Sequence, residues 1–429
     1  MAKYTEQEIY DLIEEEDVKF IRLQFVDFFG ELKNIAITDG QIEKAVAGRI
    51  RVDGFHIRGM KYLGYNSFYL QPDLDTFAIL PWRPQRGKVA RFLCRISDEN
   101  GKQMEESSRY ILKNAMKQAS EKGYLFDMKP NCEFFLFVND ENGNPTTKTG
   151  EHAAYLDIAP LDKGENARRD VILTLEEMGF EVESSHHEMA PGQHAVSFRQ
   201  SRGIRVADQI ETFRATIRTV AERHGLHATF MPKPRTDLMG SAMAFTITVT
   251  RDGEDILSPR KEGAPCSDEA LSFIAGIMEH QAGIAAFSNP IINSYKRLKA
   301  RFYAPTELFW STTDYYAPLR VVKNEQGGVS IEWKLPDGAA NPYLTIAMAI
   351  AAGVDGMVRG AKAVPENEKL GDLPATLRES VTAFQNDPFL RSVCGEKYAD
   401  MYVAEKMNEW EHYSKEVTDW EIRQYLDAI

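Results

Sequence analysis

Cysteine is scarce in this sequence, with four residues in a chain of 429, and no two of them form a CxxC pair. This usage is typical of a reduced cytosolic protein and not of a chain held together by disulfides. A chain of this length buries a large apolar core without such crosslinks.

Long apolar runs and an excess of positive charge are missing as well. No stretch of 18 apolar residues occurs, and the first twenty residues are charged and amphipathic, without an apolar signal core. We therefore expect a cytoplasmic protein without a membrane partner. The net charge is -13, from 51 basic and 64 acidic residues, and such a surface repels nucleic acid. Nucleic acid is accordingly excluded as an expected partner.

Strand-like patterns dominate the first quarter of the chain. Residues 18–30 alternate apolar and polar side chains and end at a glycine, and residues 87–96 have the composition of a second strand. A helix capped by Ser107 is expected to follow. We therefore predict one domain over residues 1–105 and a second over residues 106–429.

The second predicted domain alternates strands with helices. Strands are predicted over 131–138, 180–189 and 241–250. Helices are predicted over 165–178, 206–220, 268–283 and 343–360. The residues alone leave α+β and α/β open, in either case with a substantial sheet.

Acidic side chains on three of the predicted strands are candidates for chemistry. Side chains alternate across a strand, so His186 shares a face with Glu188, and Asn131 shares one with Glu133. Glu332 lies on a third strand, within IEWKL. A lone strand glutamate is most often a solvated surface residue, so the sequence pattern does not by itself bring these strands together.

Several long motifs connect these strands to a known family. The stretches HHEMAPGQH, HATFMPKP, NPIINSYKRL, ANPYLTIAMAIAAGVDGM and YLQPDLDTFAILPW occur in the chain. Together they resemble class I glutamine synthetases, and the resemblance extends along nearly the whole chain.

The resemblance implies a fold class and an assembly. The fold is α+β, with an N-terminal β-grasp domain and a catalytic domain whose curved antiparallel sheet forms a funnel with flanking helices. The assembly is a homo-oligomer of two stacked hexameric rings, with active sites between neighbouring subunits. The expected partner is a small molecule resembling an amino acid or an amine.

The same resemblance implies a metal site, of which half the ligands are present. Members of the family hold two divalent cations with five glutamates and one histidine, an oxygen-rich set suited to Mg²⁺. Matched by position, Glu133, Glu188 and Glu332 are retained. The remaining positions are occupied by Asn131, Ala195 and Ala244. We expect one divalent cation, Mg²⁺ or Mn²⁺ with Zn²⁺ left open, held by the three glutamates and the Asn131 carbonyl oxygen.

Positions that bind phosphate in the family also differ. Thr313 and Tyr315 stand where the resemblance implies arginines, and Ser330 and Lys334 flank Glu332 in place of two more. A hydrogen bond to a charged group contributes about 1.5–3 kcal/mol. These losses weigh against the use of ATP.

Substrate positions are partly retained. Arg297 and Arg320 match substrate and phosphate positions, and Gly240 matches the glycine that receives glutamate. Asp53 matches an ammonium-binding aspartate in a loop that the neighbouring subunit donates. His56 and Tyr303 replace family residues, the latter a flap glutamate, and could carry chemistry. His186, beside Glu188, is a candidate acid or base.

Three hypotheses of function follow. The favoured one is an enzyme that has lost ATP-dependent glutamate-ammonia ligation and uses one metal to act on a small amino acid, amine or amide. The alternative is a non-catalytic binding or regulatory pseudoenzyme. The third is a divergent ATP-dependent ligase that joins a carboxylate to an amine, as glutamine synthetase or a γ-glutamyl-amine ligase does. Fold alone does not decide among them.

Overall fold

A computed structural model of the protein describes residues 3–83, 85–299, 304–324 and 327–428. Its first part is a six-stranded sheet in the order β2-β1-β6-β4-β3, with β5 paired to β6. The strands are β1 Val18–Val26, β2 Leu32–Thr38, β3 Ile50–Asp53, β4 Ser67–Pro72, β5 Ala78–Ile79 and β6 Lys88–Ser97. The helices in this part are α1 Glu6–Glu15 and α2 Ile42–Val46.

The centre of this sheet is a parallel pair between two strands that are far apart in sequence. The alternating residues of β1 pair antiparallel with β2 across a turn at Gly30, whose φ of 97° is in the region that favours glycine. On its other edge β1 pairs parallel with β6. Both predicted strands of this region are therefore confirmed, and they lie side by side.

The second part is a ten-stranded sheet with helices packed against it. Its main path runs β14-β15-β16-β12-β7-β9-β8, with β10 and β11 paired to β7 and β13 to β12. The strands are β7 Tyr124–Val138, β8 Val182–His187, β9 Gln193–Phe198, β10 Ser201–Arg202, β11 Leu226–Thr229, β12 Met243–Arg251, β13 Glu254–Asp255, β14 Trp310–Ser311, β15 Leu319–Lys323 and β16 Val329–Trp333. Almost all of its pairings are antiparallel.

The helices of this part include the two longest apolar ones in the described chain. They are α3 Ser108–Glu121, α4 Glu165–Glu177, α5 Arg205–Arg223, α6 Asp268–Ser288, α7 Ile292–Lys299, α8 Pro342–Arg359, α9 Leu377–Gln385, α10 Pro388–Cys394, α11 Glu396–Tyr413 and α12 Asp419–Tyr425. Within the described ranges, α6 is the one helix long and apolar enough to cross a membrane, but 78% of its apolar window is buried in the protein. It is a core helix.

Two local predictions are corrected by the structure. Ser107 is at the N-cap of α3, but its side chain makes no capping hydrogen bond. The helix predicted to end at residue 283 continues as α6 to Ser288, because its apolar residues remain buried there. Asn289 then ends it before a proline.

Helices α6 and α8 approach each other through glycine. A Cβ atom added to Gly276 would lie 2.1 Å from the carbonyl oxygen of Ala352, and one on Gly356 would lie 2.2 Å from that of Ser272. No side chain fits at either position without separating the helices.

Replacing Gly276 with alanine should therefore destabilise the protein by roughly 1–3 kcal/mol, the usual cost of overpacking a core. The measurement is the melting temperature by calorimetry. Gly40→Ala is the matched control, because an added Cβ there meets nothing within 4 Å. Equal melting temperatures for the two variants would contradict the close helix contact.

Candidate active site

The predicted carboxylates line one cavity at the concave face of the large sheet. The cavity has a volume of about 120 Å³ and is lined by Asn131, Glu133, Glu188, Met189, Gln193, Met239, Gly240, Ala242, Ala244, Arg297, Ala304, Pro305, Tyr315, Glu332 and Lys334. Seven of the eleven residues named as site candidates are thus not scattered: Asn131, Glu133, Glu188, Gly240, Arg297 and Glu332 line it directly, and His186 contacts Glu188.

Strand register explains why these side chains share one face. Asn131 of β7 pairs with Ala244 of β12, and Glu133 pairs with Ala195 of β9. Directly opposed residues of antiparallel strands project to the same side of the sheet. The two alanines therefore leave open the space beside the Asn131 and Glu133 side chains.

Glu133 is held rigidly and is poorly compensated. One of its oxygens accepts a hydrogen bond from the Ala242 amide at 2.8 Å and another from Gln193 Nε2 at 3.3 Å. Burial, followed by the nearby charge of Glu188, raises the pKa of Glu133 to about 8. The positive groups of the protein therefore do not fully neutralise the Glu133 carboxylate when it is ionised.

Glu188 follows directly after β8 and contacts the histidine that shares its face. His186 Nε2 lies 2.9 Å from Glu188 Oε1. The ring of Tyr155 meets the imidazole edge-on, with ring centroids 5.6 Å apart. His186 is thus held against Glu188, in a position where it orients that carboxylate. Tyr155 was missed by sequence reasoning, because it lies in an irregular loop without a periodic pattern.

Glu332 is ion-paired on the cavity wall. Arg320, opposite it on β15, donates from Nη1 at 2.7 Å, and Lys334 Nζ lies 3.7 Å away. Lys334 also lies 3.4 Å from the centre of the Tyr315 ring, a cation–π contact. Arg320 itself does not line the cavity in the described chain. Lys334 and Tyr315 thus place a cation and an aromatic ring beside Glu332.

Arg297 and Gly240 form the opposite wall. Arg297 is buried and its Nη2 donates to the backbone oxygens of Leu335 and, at 3.3 Å, Pro336. A Cβ on Gly240 would lie 2.5 Å from the Pro232 oxygen and 2.6 Å from the Arg297 side chain. Only glycine fits against Arg297 at this point.

Two predicted site residues, Asp53 and His56, lie elsewhere in the described chain. Asp53 ends β3 in the small sheet, where it accepts a hydrogen bond from the Phe55 amide at 2.8 Å. The His56 ring packs edge-on against that of Phe55, and neither Asp53 nor His56 lines the cavity of its own chain. Tyr303 is outside the described residues.

A buried polar network behind Glu188 was also missed by sequence reasoning. Ligand atoms of Glu151, Asp162, His187 and His194 all lie within 4.8 Å of one another. Arg168 Nη1 is inserted among them, 2.8 Å from both Asp162 Oδ2 and His194 Nδ1. Arg168 pairs with Asp162 and His187 contacts Glu151, so both carboxylates already have partners, whereas His194 Nε2 is buried without a hydrogen-bond partner among the described residues.

Glu151 connects this network to the loop that carries Glu188. It accepts hydrogen bonds from His187 Nε2, from the Gly192 amide at 2.7 Å and from the Lys163 amide at 2.6 Å. Burial opposes ionisation, but these hydrogen bonds lower the pKa of Glu151 to about 2. Burial alone would lower the pKa of His187, yet its bonds to Glu151 and to the Glu188 carbonyl raise it.

The residues of the cavity fit a divalent cation. Glu133, Glu188 and Glu332 supply carboxylate oxygens, and Asn131 supplies an amide oxygen that otherwise accepts only from Ser197 Oγ, at 2.8 Å, among the described groups. Hard cations such as Mg²⁺ and Mn²⁺ prefer this oxygen donor set. The raised pKa of Glu133 indicates the charge deficit that a cation would remove.

Comparison with known proteins gives matches over nearly the whole chain. Residues 17–99 match the family model "Glutamine synthetase, beta-Grasp domain", and residues 105–425 match "Glutamine synthetase, catalytic domain". The expected fold class, a β-grasp domain followed by a catalytic domain with a curved sheet and helices, is confirmed.

Named relatives are similar over their full lengths. A glutamine synthetase of Clostridium saccharobutylicum is 42% identical over 441 residues, covering 100% of each chain. One of Thermus thermophilus is 39% identical over 442 residues, covering 99% of each. A solved structure of a GmaS/ADP complex has a TM-score of 0.87 and 26% identity, covering 97% of this chain and 99% of that one.

The prediction that ligation has been lost is wrong in light of these relatives, and they do not support the weight placed against ATP. Proteins 36–42% identical over the full length are named glutamine synthetase. Counting missing ligands misled because it treated each position separately. In the structure Lys334 supplies a cation beside Glu332, which the count of absent arginines left out. The pseudoenzyme alternative conflicts with the same relatives.

Removing the Glu151 side chain should loosen the Glu188 loop. Glu151→Ala leaves a buried histidine and two amides without their acceptor, at a cost of about 3–5 kcal/mol. We expect a melting temperature lowered by several degrees, with a smaller fall for Glu151→Gln. Glu141→Ala is the control, since Glu141 is exposed in a loop. A Glu151→Ala variant as stable as this control would refute the anchoring role.

Proposed function

Because this chain belongs to the glutamine synthetase family, we propose that it is an ATP-dependent ligase that joins a carboxylate to ammonia or a small primary amine. The observation that carries the proposal is the convergence of Glu133, Glu188 and Glu332 on one cavity that also contains Arg297 and Lys334. Carboxylates and cations of this kind suit metal, phosphate and carboxylate groups together.

The chemistry requires activation of the carboxylate. A carboxylate oxygen attacks the terminal phosphorus of ATP, ADP leaves, and the amine nitrogen then displaces phosphate from the acyl phosphate. A divalent cation, when bound, would neutralise phosphate charge during the transfer. The solved GmaS structure holds ADP, and this supports a nucleotide in the same family of sites.

Each cavity residue has a proposed part in this reaction. Glu133, Glu188 and Glu332, with Asn131, would hold the cation. Arg297, beside Gly240, would bind the substrate carboxylate. His186 would keep Glu188 oriented through their 2.9 Å contact.

The cations at the outer wall would act on phosphate. Arg320 and Lys334 both lie by Glu332, at 2.7 and 3.7 Å. Once a cation pairs with Glu332, these two side chains would be released toward phosphate oxygens. They would thereby provide part of the charge that the missing arginines supply elsewhere in the family.

Asp53 and His56 would complete the site from a neighbouring subunit. Both lie in the small sheet region, away from the cavity of their own chain. We therefore propose homo-oligomeric rings, two rings of six, in which residues 1–105 of one subunit cover the cavity in residues 106–429 of the next. Exposed Trp420, Ile422 and Leu426 near the C-terminus would contribute to contacts between rings. A cytoplasmic location remains a prediction.

The amine is proposed to be ammonia or a small alkylamine. Met189, Met239, Ala304 and Tyr315 give the cavity an apolar part beside its charges. A methyl or ethyl group fits such a surface, whereas a second charged group would be poorly solvated there.

Ligase activity is tested by phosphate release from ATP in the presence of Mg²⁺, glutamate and either ammonium or methylamine. We expect release that requires all four components, stops on chelation and returns with added metal. Glu188→Ala should lower kcat at least about 100-fold, because it removes a ligand of the cation that neutralises phosphate charge during the transfer. Glu181→Ala, an exposed change seven residues away, is the matched control.

A failure would have a clear form. A folded protein that releases no phosphate with either amine, at several metal concentrations, would reject the ligase proposal. So would activity that is equal in Glu188→Ala and Glu181→Ala.

Assembly is tested independently by mass. The chain is 48.6 kDa, and we expect a particle of twelve times that mass by light scattering, with six times that mass if the rings separate. A monomer at micromolar concentration would reject the proposal that neighbouring subunits complete the site.

A further inference from the structure

A second cavity, of about 550 Å³, lies where the small sheet meets the large domain. From the small sheet it is lined by the segment 73–78 and by Arg91 and Leu93 of β6. From the large domain it is lined by the turn 178–180 and the first turns of α5. It shares no lining residue with the candidate active site.

Arg91 has an unused donor at this cavity. Its side chain is 6% exposed, and its Nη2 donates to Thr212 Oγ1 at 2.9 Å. Its Nη1 is buried without a hydrogen-bond partner among the described residues. Buried guanidinium donors are normally satisfied, and an oxyanion is the group that satisfies them best.

The acidic groups near Arg91 are already engaged by other side chains. Arg109 donates to Asp208 at 2.8 and 3.0 Å and to Asp73 at 2.8 Å. Tyr343 donates its hydroxyl to Asp208 at 2.7 Å. These carboxylates therefore have little capacity left to pair with Arg91.

Of the remaining charged groups at the cavity, Asp75 is held by backbone amides and Arg202 by a carboxylate. Asp75 accepts the Lys3 amide at 2.6 Å, and Arg202 is paired with Asp127. Arg205 is exposed at the cavity and forms no ion pair with another described residue. Arg91, Arg205 and the Lys3 ammonium are therefore the cations of this cavity that form no ion pair with another described residue.

Helix α5 adds a further attraction for negative charge. Its 19 residues begin at Arg205, and the N-cap residue Ile204 provides no side-chain acceptor for the first amide groups. Helix N-termini bind anions through such amides and the helix dipole. Phe77, Leu93 and Phe180 line the cavity beside these groups, so an apolar body would be covered as well.

From this geometry we propose that the cavity binds a small organic anion, with a phosphate or carboxylate group held by Arg91, Arg205 and the start of α5. The body of the ligand lies against Phe77, Leu93 and Phe180. The site is joined to the candidate active site by β8, which begins two residues after Phe180 and leads directly to Glu188. It is therefore placed to couple the ligand to the conformation of that strand.

The proposal is tested by calorimetric titration of the full-length protein, without ATP or amine, so that its outcome does not depend on ligase activity. The probes are inorganic phosphate, adenosine monophosphate and succinate. We expect saturable binding of at least one probe. Tighter binding of the nucleotide than of succinate would assign an organic phosphate, and the reverse order would assign a dicarboxylate.

Variants separate this cavity from the active site. Arg91→Gln and Arg205→Glu should each weaken binding at least about tenfold, the loss expected for one charge-assisted hydrogen bond. Because Arg205 is exposed, the affinity of the Arg205→Glu variant can be measured even if Arg91→Gln fails to fold. Arg223→Glu, an exposed change at the other end of α5, and Glu188→Ala should leave the affinity unchanged.

The overturning results are equally definite. No saturable binding of any probe would overturn the proposal. So would binding that survives Arg205→Glu, or binding that Glu188→Ala removes, since the latter would place the ligand in the active-site cavity.

Discussion

The antiparallel pairing of β7 with β9 and β12 is the constraint on which the site depends. It sets Glu133 opposite Ala195 and Asn131 opposite Ala244, all on one face. A slip of one residue would turn Asn131 and Glu133 into the core and bring apolar side chains to the cavity. The core on the other face of the strand, with fully buried Phe126 and Phe134, makes such a slip costly.

Charge balance within a small buried volume is the second organising feature. Arg320 and Lys334 pair with Glu332, whereas Glu133 and Glu188 form no ion pair with an arginine or lysine among the described residues and leave a charge deficit at the cavity. Removing one partner of a buried ion pair leaves the other charge unpaired, at a large cost in stability. A count of absent ligands does not show these ion pairs, because it compares each position with the family pattern and not with the charged groups that lie beside it.

The support behind the site is polar rather than apolar. Glu151 accepts hydrogen bonds from His187 and from the Gly192 and Lys163 amides. Arg168 contacts both Asp162 and His194. Burial and the Arg168 charge lower the pKa of His194 to about 3, so this ring stays neutral within the network. Directional hydrogen bonds of this kind favour one loop geometry, whereas apolar packing tolerates several.

The sequence by itself determined most strand and helix positions, and its family motifs added the fold class and several of the residues that line the cavity. Period-two alternation placed Asn131 with Glu133 and His186 with Glu188, because alternation is a local property of the chain. The long family motifs indicated which of these strands come together at the cavity. Tertiary structure decided what local pattern does not contain: the ion pair of Arg320 with Glu332, the glycine contact at Arg297, the Glu151 network and the unused donor of Arg91. Each depends on the distance between groups far apart in sequence, and that distance is set only when the sheets and helices pack.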